Sequence, residues 1–425
     1  MNYNDLTNYI DSNLIDELLN KTTCSDDLGD EKKRYHALLD EAYKSFGDGD
    51  YHFVSSPGRT EVGGNHTDHQ HGHILAATLS VDNVCVCKKS DDSLIIFRDP
   101  LFNEVKVNIN DLRIKKELYN TSDALIIGIA AKLKENGYKI GGFRAICNSK
   151  VLIGASISSS ACFEMMIVEI FNSLFNEGKV NPVERALIGQ YSENVYFGKA
   201  SGLLDQLTIS VGGFVSADFK EPSNPVIENF EFNFEDFGYK FFVVNTKGSH
   251  MNLSDEYSAI PYEIKEVAHE LNVEYLADST FDQLLSNMQS IRKNVKNDRA
   301  ILRSIHFYEE DKRAIDEKEA IKNKDIDKLL KLMVESGRSS YMYLQNVYAA
   351  SNTKSQGIAI ACALSENYLD GAGAFRIQGG GFEGTIIAVV PNSMVEGYRL
   401  LLTSVFGDDC ILDASIRPFG TKTII

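Results

Sequence analysis

The first 47 residues carry apolar side chains at helical spacing. Apolar residues recur every three or four positions from Ile10 to Leu19, and the same pattern returns from Leu38 to Tyr43. This periodicity is typical of amphipathic helices. Gly47 and the polar residues that follow it, up to Asp50, interrupt the pattern. The sequence therefore predicts an N-terminal helical extension over residues 1–45.

Beyond residue 50 strand-like and helical runs alternate irregularly. Alternating or β-branched apolar runs predict strands, and longer periodic runs predict helices. The predicted strands are 51–55, 74–89, 93–99 and 141–148, and the predicted helices are 123–137, 162–175 and 183–197. The first strand runs into the Gly-rich stretch SPGRTEVGGNHTDHQHGH.

The pattern changes again at about Gly213. Short strands are predicted at 215–218 and 240–245, followed by a charged, helix-rich block over 257–348 and a helix at 356–368. A Gly-rich loop, QGGGFEG, then precedes the apolar strand TIIAVV. Strands and helices in separate runs indicate an α+β protein. We expect two domains, 1–212 and 213–425.

Composition narrows the class of protein. The chain has 425 residues, 43% of them hydrophobic, and 43 basic against 60 acidic side chains give a net charge of −17. Such an acidic surface repels nucleic acid and anionic membranes, so neither is an expected partner. Seven cysteines without a C-x-x-C pair, and no apolar leader or membrane-length run, predict a cytoplasmic protein with reduced thiols.

The segment GASISSSA, which we call the serine loop (residues 154–161), separates a predicted strand from the most apolar predicted helix. Small residues let backbone N–H groups approach an anion, and the start of the helix adds unpaired N–H groups and the positive end of its dipole. We expect this loop, which includes Gly154, Ala155, Ser156, Ser158, Ser159 and Ser160, to bind phosphate. The alternative is an ordinary serine N-cap on a core helix.

The histidine-rich segment HTDHQHGH, residues 66–73, allows two interpretations. His69, His71 and His73 would share one face of a strand, which is compatible with a metal site, although no fourth ligand stands out. The preferred interpretation is a sugar site, in which Asn65, His66 and Asp68 bind hydroxyl groups. Arg59, in the Gly-rich approach to this segment, offers a planar fork suited to phosphate charge.

Three separated segments together resemble one family. SPGRTEVGGNHTDHQHG resembles the galactokinase signature, and IGASISSSACFE resembles the phosphate loop of the galactokinase, homoserine, mevalonate and phosphomevalonate (GHMP) kinases. IQGGGFEGTIIAVV resembles the third, Gly-rich motif of that family. Their order and spacing agree, and the resemblance extends over about residues 45–425. It implies a two-domain GHMP-kinase-like α+β fold with the active site in the interdomain cleft.

The resemblance also implies roles for individual residues. Asp205 matches the acidic residue near the reacting sugar hydroxyl and Arg59 the arginine beside it, which makes them the expected catalytic residues. Asp205 is either a general base or a group that orients the hydroxyl. The positions that match sugar contacts are Asn65, His66, Asp68 and Tyr257.

At the phosphate end the resemblance implies ATP and Mg²⁺ as cofactors. The serine loop and the glycines of the third motif, Gly380 and Gly381, fall on ATP-binding positions. Ser160 and Glu193 fall on positions that resemble the Mg²⁺ shell. Glu383 replaces a family glycine, and we expect its side chain to point toward solvent.

The function implied is ATP-dependent phosphorylation of galactose at the C1 hydroxyl. Asn65 stands where galactokinases usually carry Glu, and Asp68-His69-Gln70 is similar to galacturonate kinases, so galacturonate is the alternative substrate. A non-catalytic sugar and ATP sensor is the alternative from another class, and a mevalonate or homoserine kinase is a third. The expected partner is a small sugar, and the expected state is a monomer or weak homo-oligomer.

Overall fold

The computed structural model describes residues 1–25, 27–99, 104–151, 156–199, 201–248, 253–382 and 384–425. Within these ranges the chain forms helices around two separate β-sheets. The helices are α1 (Tyr3–Asp11), α2 (Asp16–Thr23), α3 (Gly29–Phe46), α4 (Ser122–Glu135), α5 (Ser159–Asn176), α6 (Pro182–Tyr191), α7 (Leu204–Val211), α8 (Ser254–Glu270), α9 (Phe281–Val295), α10 (Asp298–Lys322), α11 (Ile326–Ser339), α12 (Gly357–Leu369) and α13 (Val395–Phe406).

Each predicted strand is present, while β4, β7, β9, β11 and β12 are short strands that the pattern did not predict. They are β1 (His52–Gly63), β2 (His73–Lys89), β3 (Leu94–Arg98), β4 (Val105–Asn108), β5 (Phe143–Ser149), β6 (Phe214–Asp218), β7 (Val226–Phe230), β8 (Tyr239–Asn245), β9 (Ala374–Ile377), β10 (Thr385–Pro391), β11 (Ile411–Asp413) and β12 (Lys422–Thr423).

The first sheet has the order β12-β1-β2-β5-β3-β4, and β6 and β7 extend it from β2. Its centre is a long antiparallel hairpin in which Arg59 on β1 pairs with Thr78 on β2. The hairpin closes through residues 64–72, which we call the β1–β2 turn. The Gly-rich approach is thus a continuous strand, and it delivers Arg59 and the turn to the same end of the sheet.

Alternate residues of the hairpin face two different cores. Val84 and Val86 of β2 pack with the N-terminal helices, whereas Cys85 and Cys87 pack with α4 and α5. Successive side chains of a strand point to opposite faces, so both faces of this sheet are covered. The predicted N-terminal helices are therefore confirmed, and they form one of the two layers that bury the sheet.

The second sheet is antiparallel with the order β11-β8-β10-β9. One face packs against α12 and α13 through residues such as Phe242 and Ile386. The other face sends Val243 and Ile387 into the same core as α4 and α5 of the first sheet. The two sheets are consequently joined through a shared apolar core.

Strands after residue 213 do not all join the second sheet. β6 pairs with β2, β7 pairs with β6, and β12 pairs with β1. The predicted boundary between residues 212 and 213 stays a prediction, and the strand pairing favours a later one, after Phe230, with the last strand returning to the first sheet.

Within the described ranges, no helix combines the length and apolar character needed to cross a bilayer. All seven cysteines fall inside these ranges, and none of them forms a disulfide.

Candidate active site

Arg59 and Asp205, which are 146 residues apart, form a two-point ion pair. Arg59 Nε donates to Asp205 Oδ1 at 2.6 Å and Nη2 donates to Oδ2 at 2.9 Å. The third nitrogen, Nη1, donates to the backbone oxygen of Ser156 at 2.5 Å. The Arg59 side chain is 7% exposed and that of Asp205 is 34% exposed. The pair therefore presents its carboxylate, and not its guanidinium, to solvent.

The Asp205 carboxylate is held in its ionised form. Burial alone would raise its pKa, but the charge and hydrogen bonds of Arg59, together with Ser158 and Lys199, outweigh burial and lower the pKa below its ordinary value. Asp205 lies in the first turn of α7, where a helix favours negative charge. Arg59, the serine loop and Asp205 thus meet at one place in the fold.

The serine loop does not cap its helix in the ordinary way. Ser158 occupies the N-cap position of α5 with a left-handed φ of 60°, and makes no capping hydrogen bond. Its hydroxyl donates to the Asp205 carboxylate instead. Ser159 and Ser160 form the first turn, whose N–H groups are thus left for a ligand. Gly154 and Ala155 lie outside the described residues.

Gln378 ties the third motif to the first two. Its Oε1 accepts from Thr60 Oγ1 and from the Glu61 amide, both at 3.1 Å, and its Nε2 donates to the Ser156 carbonyl at 3.1 Å. Sequence reasoning did not single out Gln378, although it lies within the quoted motif IQGGG. This one side chain connects β1, the serine loop and β9.

The glycines after Gln378 pack closely against the predicted sugar residues. Tyr257 donates its hydroxyl to the Gly381 carbonyl at 3.2 Å, and a Cβ on Gly380 would lie only 2.5 Å from the Tyr257 ring. His66 Nε2 donates to the Gly380 carbonyl at 3.3 Å. Glycine is therefore required for this approach, while ATP binding by Gly380 and Gly381 stays a prediction. Glu383 lies outside the described residues.

Asp68 lies close to Asp205. Burial, and in smaller part the negative charge of Asp205, raise the pKa of Asp68 to about 6. Its Oδ1 accepts from the His69 amide at 2.9 Å. A Cβ on Gly202, just before α7, would lie 1.8 Å from its other oxygen. Asp68 and Asp205 are thus neighbours, as a sugar site formed by both would require.

Asn65 differs from the expectation. Its residue is 1% exposed, its Nδ2 donates to Glu61 Oε1 at 2.6 Å and to the Gly379 carbonyl at 2.8 Å, and its Oδ1 accepts from Asn346 Nδ2 at 2.9 Å. These contacts engage the side chain inside the protein. Sugar binding by Asn65 stays a prediction that this arrangement does not favour.

Side chains of helix α10 form hydrogen bonds with the backbone of the β1–β2 turn. Glu310 Oε1 accepts from the amides of Gly64 and Asn65 at 3.1 and 3.3 Å, and His306 Nε2 donates to the Asn65 carbonyl at 3.0 Å. Arg313 and the Ser336 hydroxyl (2.5 Å) also bond to Glu310. Both α10 residues were missed, because a single Glu or His on a long charged helix has no local signature.

The predicted Mg²⁺ pair is brought together at the start of α5. Ser160 Oγ lies 3.5 Å from Glu193 Oε1, and Lys199 Nζ lies 2.8 Å from the same oxygen. Gln206 Nε2 donates to Glu193 Oε2 and to Glu164 Oε2, each at 2.9 Å. Burial, and then the charge of Glu193, raise the pKa of Glu164 well above its usual range. Lys199, Gln206 and Glu164 were not predicted.

The histidine-rich segment does not form the alternating face of a metal site. Residues Asp68–Gln70 form a turn of 3₁₀-helix and His71 is left-handed with φ of 62°, while His73 opens β2 and contacts Asp311 at 3.0 Å. The described ranges contain no cluster of three or more His, Cys, Asp or Glu side chains suited to a metal ion. The strand geometry that the metal interpretation would need is therefore not formed by these residues.

Family models and relatives of known function show which proteins this chain is similar to. Residues 42–89 match the family model described as the galactokinase galactose-binding signature, and residues 124–213 match the N-terminal domain of GHMP kinases. The galactokinase of Clostridium tetani is 25% identical over 366 residues, which cover 85% of this chain and 90% of that protein. The galactokinase of Clostridium perfringens strain 13 is 27% identical over 350 residues, or 81% and 86%.

Solved structures show the same fold. The galactokinase of Lactococcus lactis, crystallised with galactose, superposes with a TM-score of 0.78 over 91% of this chain and 98% of that one, at 22% identity. The mevalonate kinase of Methanococcus jannaschii gives 0.61 over 87% and 99%, at 17% identity. The chain thus has the fold of the GHMP kinases. Within that fold its sequence is similar to the galactokinases.

The raised pKa of Asp68 predicts a pH-dependent stability. A carboxyl whose folded pKa of about 6 exceeds its ordinary 3.8 stabilises the fold when protonated, and that contribution is lost as the pH rises through about 6. Asp68→Asn should therefore be more stable than the wild type at pH 7.5, by up to about 3 kcal/mol, and equal to it near pH 4. Thermal unfolding at both pH values measures the difference.

The matched control is Asp91→Asn, because Asp91 is exposed in the turn between β2 and β3, at the opposite end of β2 from Asp68. Its stability should equal that of the wild type at both pH values. An Asp68→Asn variant that is equally or less stable than the wild type at pH 7.5 would contradict the assignment.

Proposed function

We propose that this protein transfers the γ-phosphoryl group of ATP to the C1 hydroxyl of galactose, yielding galactose 1-phosphate and ADP. The observation that carries the proposal is the Arg59–Asp205 pair, which Ser158 joins to the start of α5. A carboxylate for the sugar hydroxyl therefore adjoins an anion-binding helix terminus. The similarity to galactokinases, one of them crystallised with galactose, supports the choice of sugar.

The phosphate end fits ATP with Mg²⁺. Ser159 and Ser160 lie in the first turn of α5, whose N–H groups and dipole favour phosphate. Ser160 Oγ and the Glu193 carboxylate are oxygen donors of the kind Mg²⁺ prefers, and nucleotide phosphates would complete its shell. Bound there, the metal would neutralise charge on the phosphates. We also propose a cytoplasmic location, where ATP is available and where unpaired thiols persist.

Asp205 is better suited to orienting the sugar hydroxyl than to deprotonating it early. Both of its oxygens already accept hydrogen bonds, and its lowered pKa makes it a weak base. Phosphoryl transfer depends mainly on positioning and charge stabilisation, because its transition state is loose. We therefore propose that Asp205 holds the hydroxyl in line with the phosphate, while Arg59 fixes the carboxylate.

The charge around the β1–β2 turn favours a neutral sugar over galacturonate. Burial lowers the pKa of His66 to about 4 and of His69 to about 3, and also lowers that of His71. The described turn therefore carries no positive charge at neutral pH, while Asp68 is ionised. A C6 carboxylate beside Asp68 would meet a like charge that none of the turn's own side chains offsets, which is unfavourable.

This proposal predicts substrate preference. Purified protein with Mg-ATP should phosphorylate galactose, with a kcat/KM at least about 100-fold above that for galacturonate, because of the like-charge penalty. A coupled assay for ADP measures both sugars side by side. A preference for galacturonate would contradict the electrostatic argument. Binding of galactose and ATP without turnover would support the alternative that the protein is a non-catalytic sensor.

The contact between α10 and the β1–β2 turn predicts a selective effect on sugar binding. Glu310→Leu removes the acceptor for the Gly64 and Asn65 amides, so the turn should lose its fixed position. We expect the KM for galactose to rise about tenfold or more, consistent with the loss of a charged hydrogen bond, while the KM for ATP stays within about twofold. Steady-state kinetics with each substrate varied measures both.

Glu310→Gln is the matched variant, since its carbonyl oxygen can still accept from both amides. Its KM for galactose should lie between the values of the wild type and of Glu310→Leu. Equal increases in the two KM values, in a variant with an unchanged melting temperature, would argue against a selective role in sugar positioning.

A further inference from the structure

The positive charge of Arg59 is largely committed within the protein. Its three guanidinium nitrogens all donate, two to Asp205 and one to the Ser156 carbonyl. Turning the fork toward a phosphate would break charge-assisted hydrogen bonds in a buried position, which is costly. A second cation would therefore help to neutralise the phosphates of a bound nucleotide.

Lys199 is such a cation at the same end of the site. It follows Gly198, which has φ of 86° and ends the π-helical segment Ser192–Phe197. Its Nζ lies 2.8 Å from Glu193 Oε1, yet 56% of its side chain is exposed. A lysine ammonium is ordinarily charged at neutral pH, and this one lies beside the Ser160–Glu193 pair at the start of α5.

The oxygen that Lys199 contacts is also the oxygen nearest to Ser160. Glu193 Oε1 lies 2.8 Å from Lys199 Nζ and 3.5 Å from Ser160 Oγ. The other oxygen of Glu193 is held by Gln206, the neighbour of Asp205. Gln206 therefore fixes Oε2 of Glu193. Lys199 occupies Oε1, the oxygen that would bind Mg²⁺ together with Ser160.

We propose that Lys199 exchanges partners when the metal–nucleotide complex binds. Lys199 holds Glu193 while the site is empty, and it moves to the phosphate oxygens once that carboxylate serves the metal. The exchange is favourable because a magnesium–nucleotide complex remains anionic, and because the flexible lysine side chain can move its ammonium group from one partner to the other. The inference takes the ligand class, a magnesium nucleoside triphosphate, from the proposed function.

The test is nucleotide binding with and without metal, measured by calorimetry on the full chain. The probe is the non-hydrolysable analogue AMPPNP, and the variants are Lys199→Met, Lys199→Arg and the control Lys179→Met. Lys179 pairs with Glu177 at 2.8 Å on the surface, away from the serine loop. Galactose binding to each variant checks that the sugar end is intact.

We expect Lys199→Met to weaken binding of Mg–AMPPNP about tenfold or more, as loss of a charged contact to phosphate should. Lys199→Arg should retain most of the affinity, and Lys179→Met should match the wild type. Without metal, Lys199 stays on Glu193, so Lys199→Met and wild type should bind AMPPNP within about twofold of each other. A difference confined to the metal-containing experiment supports the exchange.

Two results would overturn the inference. Unchanged Mg–AMPPNP binding in Lys199→Met would show that Lys199 pairs with Glu193 and does not contact the nucleotide. Equal weakening with and without metal would show that Lys199 attracts the nucleotide without changing partners. If Lys199→Met fails to fold, Lys199→Gln replaces it. Because binding needs no turnover, a protein that binds Mg–AMPPNP but does not phosphorylate galactose would refute the proposed reaction and leave this inference standing.

Discussion

The ion pair between Arg59 and Asp205 determines the arrangement of the site. It joins β1 to the first turn of α7, and Arg59 also binds the Ser156 carbonyl. Two charges taken partly out of water are stable only when each is well paired. The pair therefore fixes the serine loop relative to the carboxylate, and it sets where a phosphate and a hydroxyl can meet.

The second sheet and its helices depend on this arrangement through polar contacts. Gln378 after β9 bonds to β1 and to the serine loop, while Glu310 and His306 of α10 bond to the turn that follows β1. Each contact satisfies buried backbone groups that would otherwise be costly. Both parts of the chain thus build one site, in which the sugar end is held mainly from α10.

Much of this site could be predicted from short segments of sequence. Ser158 lies in a loop whose phosphate-binding chemistry is local, whereas the catalytic roles of Arg59 and Asp205 were predicted from the resemblance of their segments to one family. Glu310 was not predictable, because its partners are backbone amides about 245 residues away and no pattern marks them. Asn65 was predicted to face the sugar, yet Glu61 and Asn346 engage it, which depends on packing between distant elements.

The most direct measurement of the central claim is a double-mutant cycle on turnover, with Arg59→Met, Asp205→Asn and the combined variant. Two residues that act as one unit lose activity together, so their effects are not additive. The account predicts that each single change lowers kcat by about 10² or more, and that the combined variant is little worse than the more damaged single one. Near-normal turnover of Asp205→Asn, or losses that simply multiply, would contradict it.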